Sequence, residues 1–254
     1  MIPQERERVR PPRASRPKRP LLVRTWNVFH GNAAVPERRA YLEEMVRLVS
    51  ADGPDVVCLQ EVPVWALRRL GGWSGMTVVG VVAARPRLGS AELGRVLTEL
   101  HHGLLRSAFS GQANAILTAP PLRVRDERTF RISRRGERRI CQAVRLGDVG
   151  LVGNFHATGG AVAEEQFVRA AAFLDALAAP GEPVILCGDA NVEPACGTIF
   201  GELRSWGFSE PAPGIDQILV RGLPSTPPAV WPDERRRVGG RVLSDHAPVE
   251  LRVG

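Results

Sequence analysis

Polar side chains that could do chemistry stand at or beside apolar runs throughout this 254-residue sequence: Asn27, Glu61, His156, Asp189, Asn191, Asp216, Asp245 and His246. The central pair lies in Gly188-Asp189-Ala190-Asn191, directly after the apolar run Val184-Ile185-Leu186-Cys187. That run is bounded by Pro183 and Gly188 and predicts a buried strand. Side chains alternate at a strand end, so positions 189 and 191 can converge on one point. A carboxylate there can take a proton or hold a metal, and a carboxamide fixes orientation through its oxygen and its amide. The pair suits the positioning of a hydrolytic water. A strand followed by Asp and Asn is also ordinary turn chemistry, so the partners decide.

Those partners are carboxylates, carboxamides and two histidines, with no cysteine. An oxygen-rich set suits a hard divalent cation, Mg²⁺ or alternatively Mn²⁺. Such a cation polarises a phosphoryl oxygen and stabilises a leaving oxyanion. A histidine beside a carboxylate can bind phosphate or donate a proton. Together they point to hydrolysis of a phosphate ester.

The elements that must position these residues follow from the apolar pattern. Strands are expected at Leu21 to Phe29, Asp55 to Leu59, Thr77 to Ala83, Ala113 to Thr118, Gly150 to Phe155, Gly214 to Val220 and Ala247 to Val253. Residues 122–132 and 139–146 read as a hairpin. Helices are expected over 37–50, 91–105, 162–179 and 196–206, with a helical turn after Pro63. The succession of strands over 113–156 departs from strict strand–helix alternation and favours an α/β arrangement of two sheets.

Length allows one large domain, here residues 21–254, with a substantial core. No apolar run approaches the ~20 residues that cross a bilayer, and no signal-type apolar segment follows the basic N-terminus, so a cytoplasmic protein is expected. Cys58, Cys141, Cys187 and Cys196 lack paired spacing and read as free thiols. The net charge is +7, of which +5 falls in the Arg/Pro-rich residues 1–20, expected to be a disordered basic tail. The body is therefore nearly neutral. Its main basic cluster is the hairpin region 123–139, with eight arginines against three acids, a candidate contact for a phosphate-bearing substrate.

Six short motifs carry a resemblance: TWNVFHG at 25–31, LQEV at 59–62, GNFHATGG at 153–160, GDANVEP at 188–194, GIDQILV at 214–220 and SDHAPV at 244–249. In this order they resemble the endonuclease/exonuclease/phosphatase superfamily, which includes DNase I, the exonuclease III-type abasic endonucleases, and sphingomyelinase and inositol-phosphatase branches. The resemblance covers residues 21 to 253. It implies a four-layered α/β/β/α sandwich of two mixed sheets with the site at one rim. By the same resemblance Glu61 is the principal Mg²⁺ ligand with Asn27 nearby, and Asp245 joins the metal shell or activates water. Asp189 and Asn191 position the attacking water, and Asn191 also touches the phosphate. His246 binds the scissile phosphate, oriented by Asp216. His156 stabilises charge or protonates the leaving group, supported by Asn114, a further substrate-side residue. His30, His101 and His102 match no motif and read as surface or packing residues.

The expected substrate is a phosphate ester. A nuclease or other phosphodiesterase leads, a small-molecule or lipid-headgroup phosphatase or phosphodiesterase is the alternative, and a catalytically degenerate nucleic-acid-binding or scaffold protein stands third. Against an abasic endonuclease, Gly214-Ile215-Asp216-Gln217 replaces the Arg-Ile-Asp-Tyr stretch usual there, and Tyr41 is the only tyrosine. The near-neutral body does not favour strong duplex binding.

Overall fold

The computed structural model describes residues 19–86, 90, 93, 95, 96, 109–147 and 149–254. The first sheet contains β1 (Leu21–Asn27), β2 (Val56–Val62), β3 (Thr77–Ala84) and β4 (Gln112–Thr118). The second contains β5 (Val124–Arg131), β6 (Ile140–Leu146), β7 (Gly150–His156), β8 (Val184–Asp189) and β9 (Asp216–Arg221). The short β10 (Ala229–Val230) and the final β13 (Val249–Val253) return to the first sheet, and β11 (Arg237–Val238) pairs with β12 (Arg241–Val242) as a separate ribbon. The orders are β10-β13-β1-β2-β4-β3 and β5-β6-β7-β8-β9. Each sheet is mixed: β1 and β2 run parallel, as do β7 and β8, and their other neighbours are antiparallel.

The sheets face each other across a core of Val23, Cys58, Ile116, Val144, Val152, Ile185, Cys187 and Ile218. Alternation along each strand sends the next residues outward, where helices cover them. α1 (Leu42–Ser50) lays Leu42, Met45, Val46 and Val49 against Trp26, Val57 and Leu59. The short α2 (Leu70–Ser74) joins the same layer through Leu70. On the opposite side α3 (Ala163–Leu177) and α4 (Ile199–Ser205) cover the second sheet. Phe167 of α3 stacks on Phe155 at 4.9 Å and meets Phe200 of α4 edge-on at 5.6 Å. α3 approaches closely because β7 offers Gly153: a Cβ there would fall 2.4 Å from Leu174 Cδ1. This is the expected four-layered sandwich.

Local boundaries differ for identifiable reasons. The helix expected from residue 37 begins only at Leu42, because Tyr41 N–H is taken by the Gly31 carbonyl at 2.8 Å. β2 runs on past Leu59 to include Gln60 and Glu61. The helix expected over 91–105, with His101 and His102, lies almost wholly outside the described residues, as does the tail up to residue 18. Arg19, at the tail's end, makes two hydrogen bonds to Asp55 at 2.8 and 3.0 Å. Among the described residues no helix is long and apolar enough to cross a membrane. All four cysteines are free, three of them buried.

Candidate active site

Strand register assembles half of the site. His156 lies opposite Asp189 in the parallel β7–β8 pair, and Asp189 lies opposite Asp216 in the antiparallel β8–β9 pair. Three adjacent strands thus present a His–Asp–Asp row at one edge of the second sheet. The first sheet brings Asn27 at the end of β1 and Glu61 near the end of β2. Beneath them the sheets are tied by buried amides: Gln60 donates to Asn154 Oδ1 at 2.7 Å, and Asn154 donates to the Leu59 and Ala115 carbonyls at 3.0 Å.

Backbone strain concentrates here. Six non-glycine residues among those described have positive φ, and five of them, Phe29, His30, Glu61, Asn191 and Ser244, lie in the segments that carry the site. Such conformations cost on the order of 1 kcal/mol or more each and persist where the surroundings over-determine them. At Glu61 (φ 54°) the strain belongs to a bulge: pairing of β2 with β4 shifts between Leu59 and Val62 and turns the carboxylate out of the ladder.

Asp189 Oδ2 is where the groups meet. It accepts from Asn27 Nδ2 at 3.0 Å and lies 3.4 Å from His156 Nε2 and 3.8 Å from His246 Nε2. Oδ1 accepts from Asn191 N–H at 3.0 Å, an Asx turn that uses Asn191's left-handed backbone. The Asn191 amide then donates to the Ala157 carbonyl at 2.9 Å. Burial, followed by the charge of Asp216, pushes the Asp189 carboxyl up to about 7. Glu61 and Asp216 are also pushed up, burial again the chief cause.

His246 sits in the loop after β12. Its Nδ1 donates to Asp216 Oδ2 at 2.8 Å. Burial opposes its charge, but the bond to Asp216 and the fields of Asp216, Asp189 and Asp245 outweigh it and raise the imidazolium to about 9. The loop is braced from behind. Arg236, buried, donates to the carbonyls of Leu243, Ser244 and His246 at 2.8, 2.7 and 3.1 Å, and Trp26 Nε1 donates to the His246 carbonyl at 2.9 Å. Ser244 Oγ donates to the Asn27 carbonyl at 2.7 Å, pinning the loop to β1. Asp245 stands exposed at the rim, 3.9 Å from His246 Nε2.

Two expectations need correction. Asn27 does not present an oxygen to the carboxylates. Its Oδ1 accepts from Phe29 N–H at 3.0 Å, which leaves Nδ2 facing Asp189 and, at 3.3 Å, Glu61. As placed it bridges two carboxylates through Nδ2 and turns its oxygen away from them. Asn114 is buried between the sheets and donates to the carbonyls of Ile140 and Asn154 at 3.3 and 3.5 Å, so as placed its amide ties strands together.

Two residues outside the expected set join it. His30, taken as surface or packing, is buried with Nε2 at 3.2 Å from Glu61 Oε2. The available signal was its place in TWNVFHG, three residues after Asn27. Arg139 is buried with Nη1 at 2.6 Å from His156 Nδ1. It directly precedes the apolar start of β6, which sets it apart from the other hairpin arginines. Several of those are engaged by the protein itself: Arg128 with Asp126, Arg134 with Glu165, and Arg138 with the Val82 and Ala83 carbonyls.

The donor set fits a hard divalent cation. Four carboxylates (Glu61, Asp189, Asp216, Asp245) outnumber the imidazolium and the guanidinium, and Asp216 Oδ1 is buried without a hydrogen-bond partner. Ligand atoms of Asp189, Asp216 and His246 lie within 4.8 Å of one another. Within that trio His246 Nδ1 and Asp216 Oδ2 are already spent on each other at 2.8 Å. Glu61, turned outward by its bulge, is the better anchor.

The sequence model of the Endonuclease/Exonuclease/phosphatase family matches residues 25–246. A search of curated protein sequences returns no match. Solved structures share the fold. A functionally unknown conserved protein from Enterococcus faecalis superposes with a TM-score of 0.69 at 18% identity, covering 92% of this chain and 99% of the other. A Bacteroides thetaiotaomicron mannosyl-6-phosphatase gives 0.64 at 17%, with the same coverage. TDP2 from Caenorhabditis elegans gives 0.59 at 15%, covering 92% and 74%. At these identities the likeness concerns the fold alone; the match over residues 25–246 goes further, and the chain belongs to the endonuclease/exonuclease/phosphatase family of phosphoester hydrolases.

Proposed function

We propose that this protein is a divalent-cation-dependent hydrolase of phosphate esters that works by in-line attack of water. The observation that carries the reading is the convergence on Asp189 Oδ2 of Asn27, His156 and His246, beside the outward-turned Glu61. Asp189 is the group that orients the water and takes its proton, and a carboxyl raised toward neutrality is matched to that task. Asn191 fixes the Asp189 carboxylate through its N–H. His246, held protonated by Asp216, binds the phosphate and meets charge developing on it. His156 serves the same charge from the other side. Glu61 and Asp245 would hold the cation, which when bound supplies Lewis-acid polarisation of the phosphoryl oxygen. Mg²⁺ is the first candidate.

A compact phosphate ester is favoured over a nucleic acid. Beside His246 lies a cavity of about 430 Å³ lined by Glu193, Pro213, Gly214, Ile215, Asp216, Val230, Asp245, Ala247 and Val249. His246 itself is part of the lining, and three carboxylates there outnumber its imidazolium, an acidic balance that disfavours a polyanion and suits the hydroxyls of a small leaving group. The engaged hairpin arginines support the same preference.

The test is a substrate panel with Mg²⁺: sugar and inositol phosphates, phospholipid, bis-p-nitrophenyl phosphate, plasmid DNA, RNA and an abasic duplex, with Glu61→Ala as control. Turnover is expected on a compact ester, lost in the control, with Asp189→Ala and His246→Ala each lowering it by at least ~100-fold. Efficient cleavage of nucleic acid alone would return the nuclease reading to first place. No Glu61-dependent turnover on any substrate would defeat the hydrolase.

A further inference from the structure

We infer that Gln166, on α3, is a positioning residue: it grips Thr158 and so sets the seat on which the Asn191 side chain rests. The catalytic consequence rests on the hydrolase reading, while the seat itself is a matter of hydrogen bonding in the folded chain.

The seat is the segment that follows His156. Ala157 is tied to β8 by its N–H, which donates to the Asp189 carbonyl at 2.9 Å. Its own carbonyl accepts from Asn191 Nδ2 at 2.9 Å. Two residues on, Gly159 runs against the same amide, so that a Cβ there would stand 3.4 Å from Asn191 Oδ1. The two residues that meet the Asn191 amide therefore flank Thr158. Gln166 holds Thr158 at two points: Oε1 accepts from the Thr158 N–H at 2.8 Å, and Nε2 donates to Thr158 Oγ1 at 3.3 Å. A backbone N–H requires an acceptor, so only one orientation of the Gln166 amide serves.

Gln166 differs from its neighbours on the helix. It is buried on a face shared with Ala163, Phe167, Ala170, Ala171 and Leu174, all apolar. A buried amide costs stability unless it is bonded, and each bond it makes returns only about 0.5–1.5 kcal/mol. Here both bonds go to one loop residue. What that loop supports is a constrained turn. Asn191 has φ 52° and in that conformation donates its N–H to Asp189 Oδ1 at 3.0 Å. Left-handed backbone persists where the surroundings over-determine it. The line of contact runs Gln166, Thr158, Asn191, Asp189, from the helix layer to the group that orients the water.

The test compares wild type with Gln166→Met, which keeps the volume and loses both bonds, in the full-length protein. In the metal-free state the Asn191 side-chain amide signal in nitrogen-15 NMR, assigned with Asn191→Ala, is expected to move. Gln166→Met should lower kcat about 10- to 100-fold with KM changed far less, the scale of a displaced working group. In an Asn191→Ala background the same substitution should cost less than about 2-fold, because the residue it positions is gone. Gln166→Glu still accepts from the Thr158 N–H and stands in the first turn of α3, where negative charge is favoured, so it should stay within about 3-fold of wild type. Thr158→Ala, which removes one of the two bonds and leaves the helix alone, carries the same cycle should Gln166→Met fail to fold. An Asn191 signal unchanged in Gln166→Met would overturn the proposal. So would a full loss of kcat that persists in the Asn191→Ala background, or a loss in Gln166→Glu as large as in Gln166→Met. Absence of Glu61-dependent turnover throughout would instead defeat the hydrolase reading, and the Asn191 signal would decide the positioning by itself.

Discussion

His246 Nδ1 donates to Asp216 Oδ2 across 2.8 Å, joining the loop before β13 to the first residue of β9. The pair sets the charge at the centre of the site, and its pH dependence has a definite sign. Folding raises the His246 imidazolium from 6.5 to about 9, so the folded chain binds this proton more tightly than the unfolded chain. The stabilisation is complete below pH 6.5 and is lost as pH rises through 9. Metal-free protein should therefore melt at progressively lower temperature between pH 6.5 and 9. Asp216→Asn should flatten that slope and bring the His246 titration, followed by NMR, back toward 6.5. A wild-type His246 that titrates near 6.5 would show that the pair does not hold the charge.

Arg236 tests whether the loop's shape depends on its brace. Three carbonyls accept from one guanidinium nitrogen, and Asp233 pairs with the other. Arg236→Met takes this donor from all three carbonyls, of which that of His246 keeps Trp26 Nε1, at about 1–3 kcal/mol per group left unpaired, partly relieved by water. We expect a clear drop in urea midpoint and at least a ~10-fold loss of kcat/KM through misplaced His246. Unchanged activity would mean that Trp26 and Ser244 suffice to hold the loop.

Gly188 tests the strand that delivers Asp189. Its φ is 149°, and a Cβ would meet the Phe155 carbonyl oxygen at 2.0 Å. The obstacle is backbone and cannot swing aside, so Gly188→Ala must part β7 from β8 at the Phe155–Gly188 row, next to the row that carries His156 and Asp189. A loss above ~3 kcal/mol is expected, with activity falling further than stability alone explains. Near-native stability on chemical denaturation would contradict the packing described for this strand pair.

Much of this molecule was legible in the chain. Apolar periodicity located nearly every long strand and helix among the described residues, because alternation and amphipathic spacing record which face is buried. The residues at strand ends were legible for a related reason: a polar group that closes an apolar run has been carried to a sheet edge. By that pattern alone Glu61, His156, Asp189, Asp216 and His246 belong together.

Direction and partnership were not legible. Sequence placed Asn27 among the metal ligands, but which amide atom faces the carboxylates depends on the Phe29 N–H, fixed only by the turn after β1. Asn114 had the right type and place, yet the facing sheet claims its amide. The arginines of the hairpin were alike in sequence; register alone put Arg139 against His156 while Arg134 met Glu165. His30 matched nothing by itself and reached Glu61 only because the bulge turned that carboxylate toward it. By itself the sequence determined the family, the layers and the titratable groups that arrive at the rim, since these follow from local pattern and residue type. The tertiary structure decided that His246 is held charged while His156 is pushed toward the neutral form, because burial disfavours an imidazolium unless a carboxylate such as Asp216 lies within hydrogen-bond reach, and those surroundings come from remote parts of the chain.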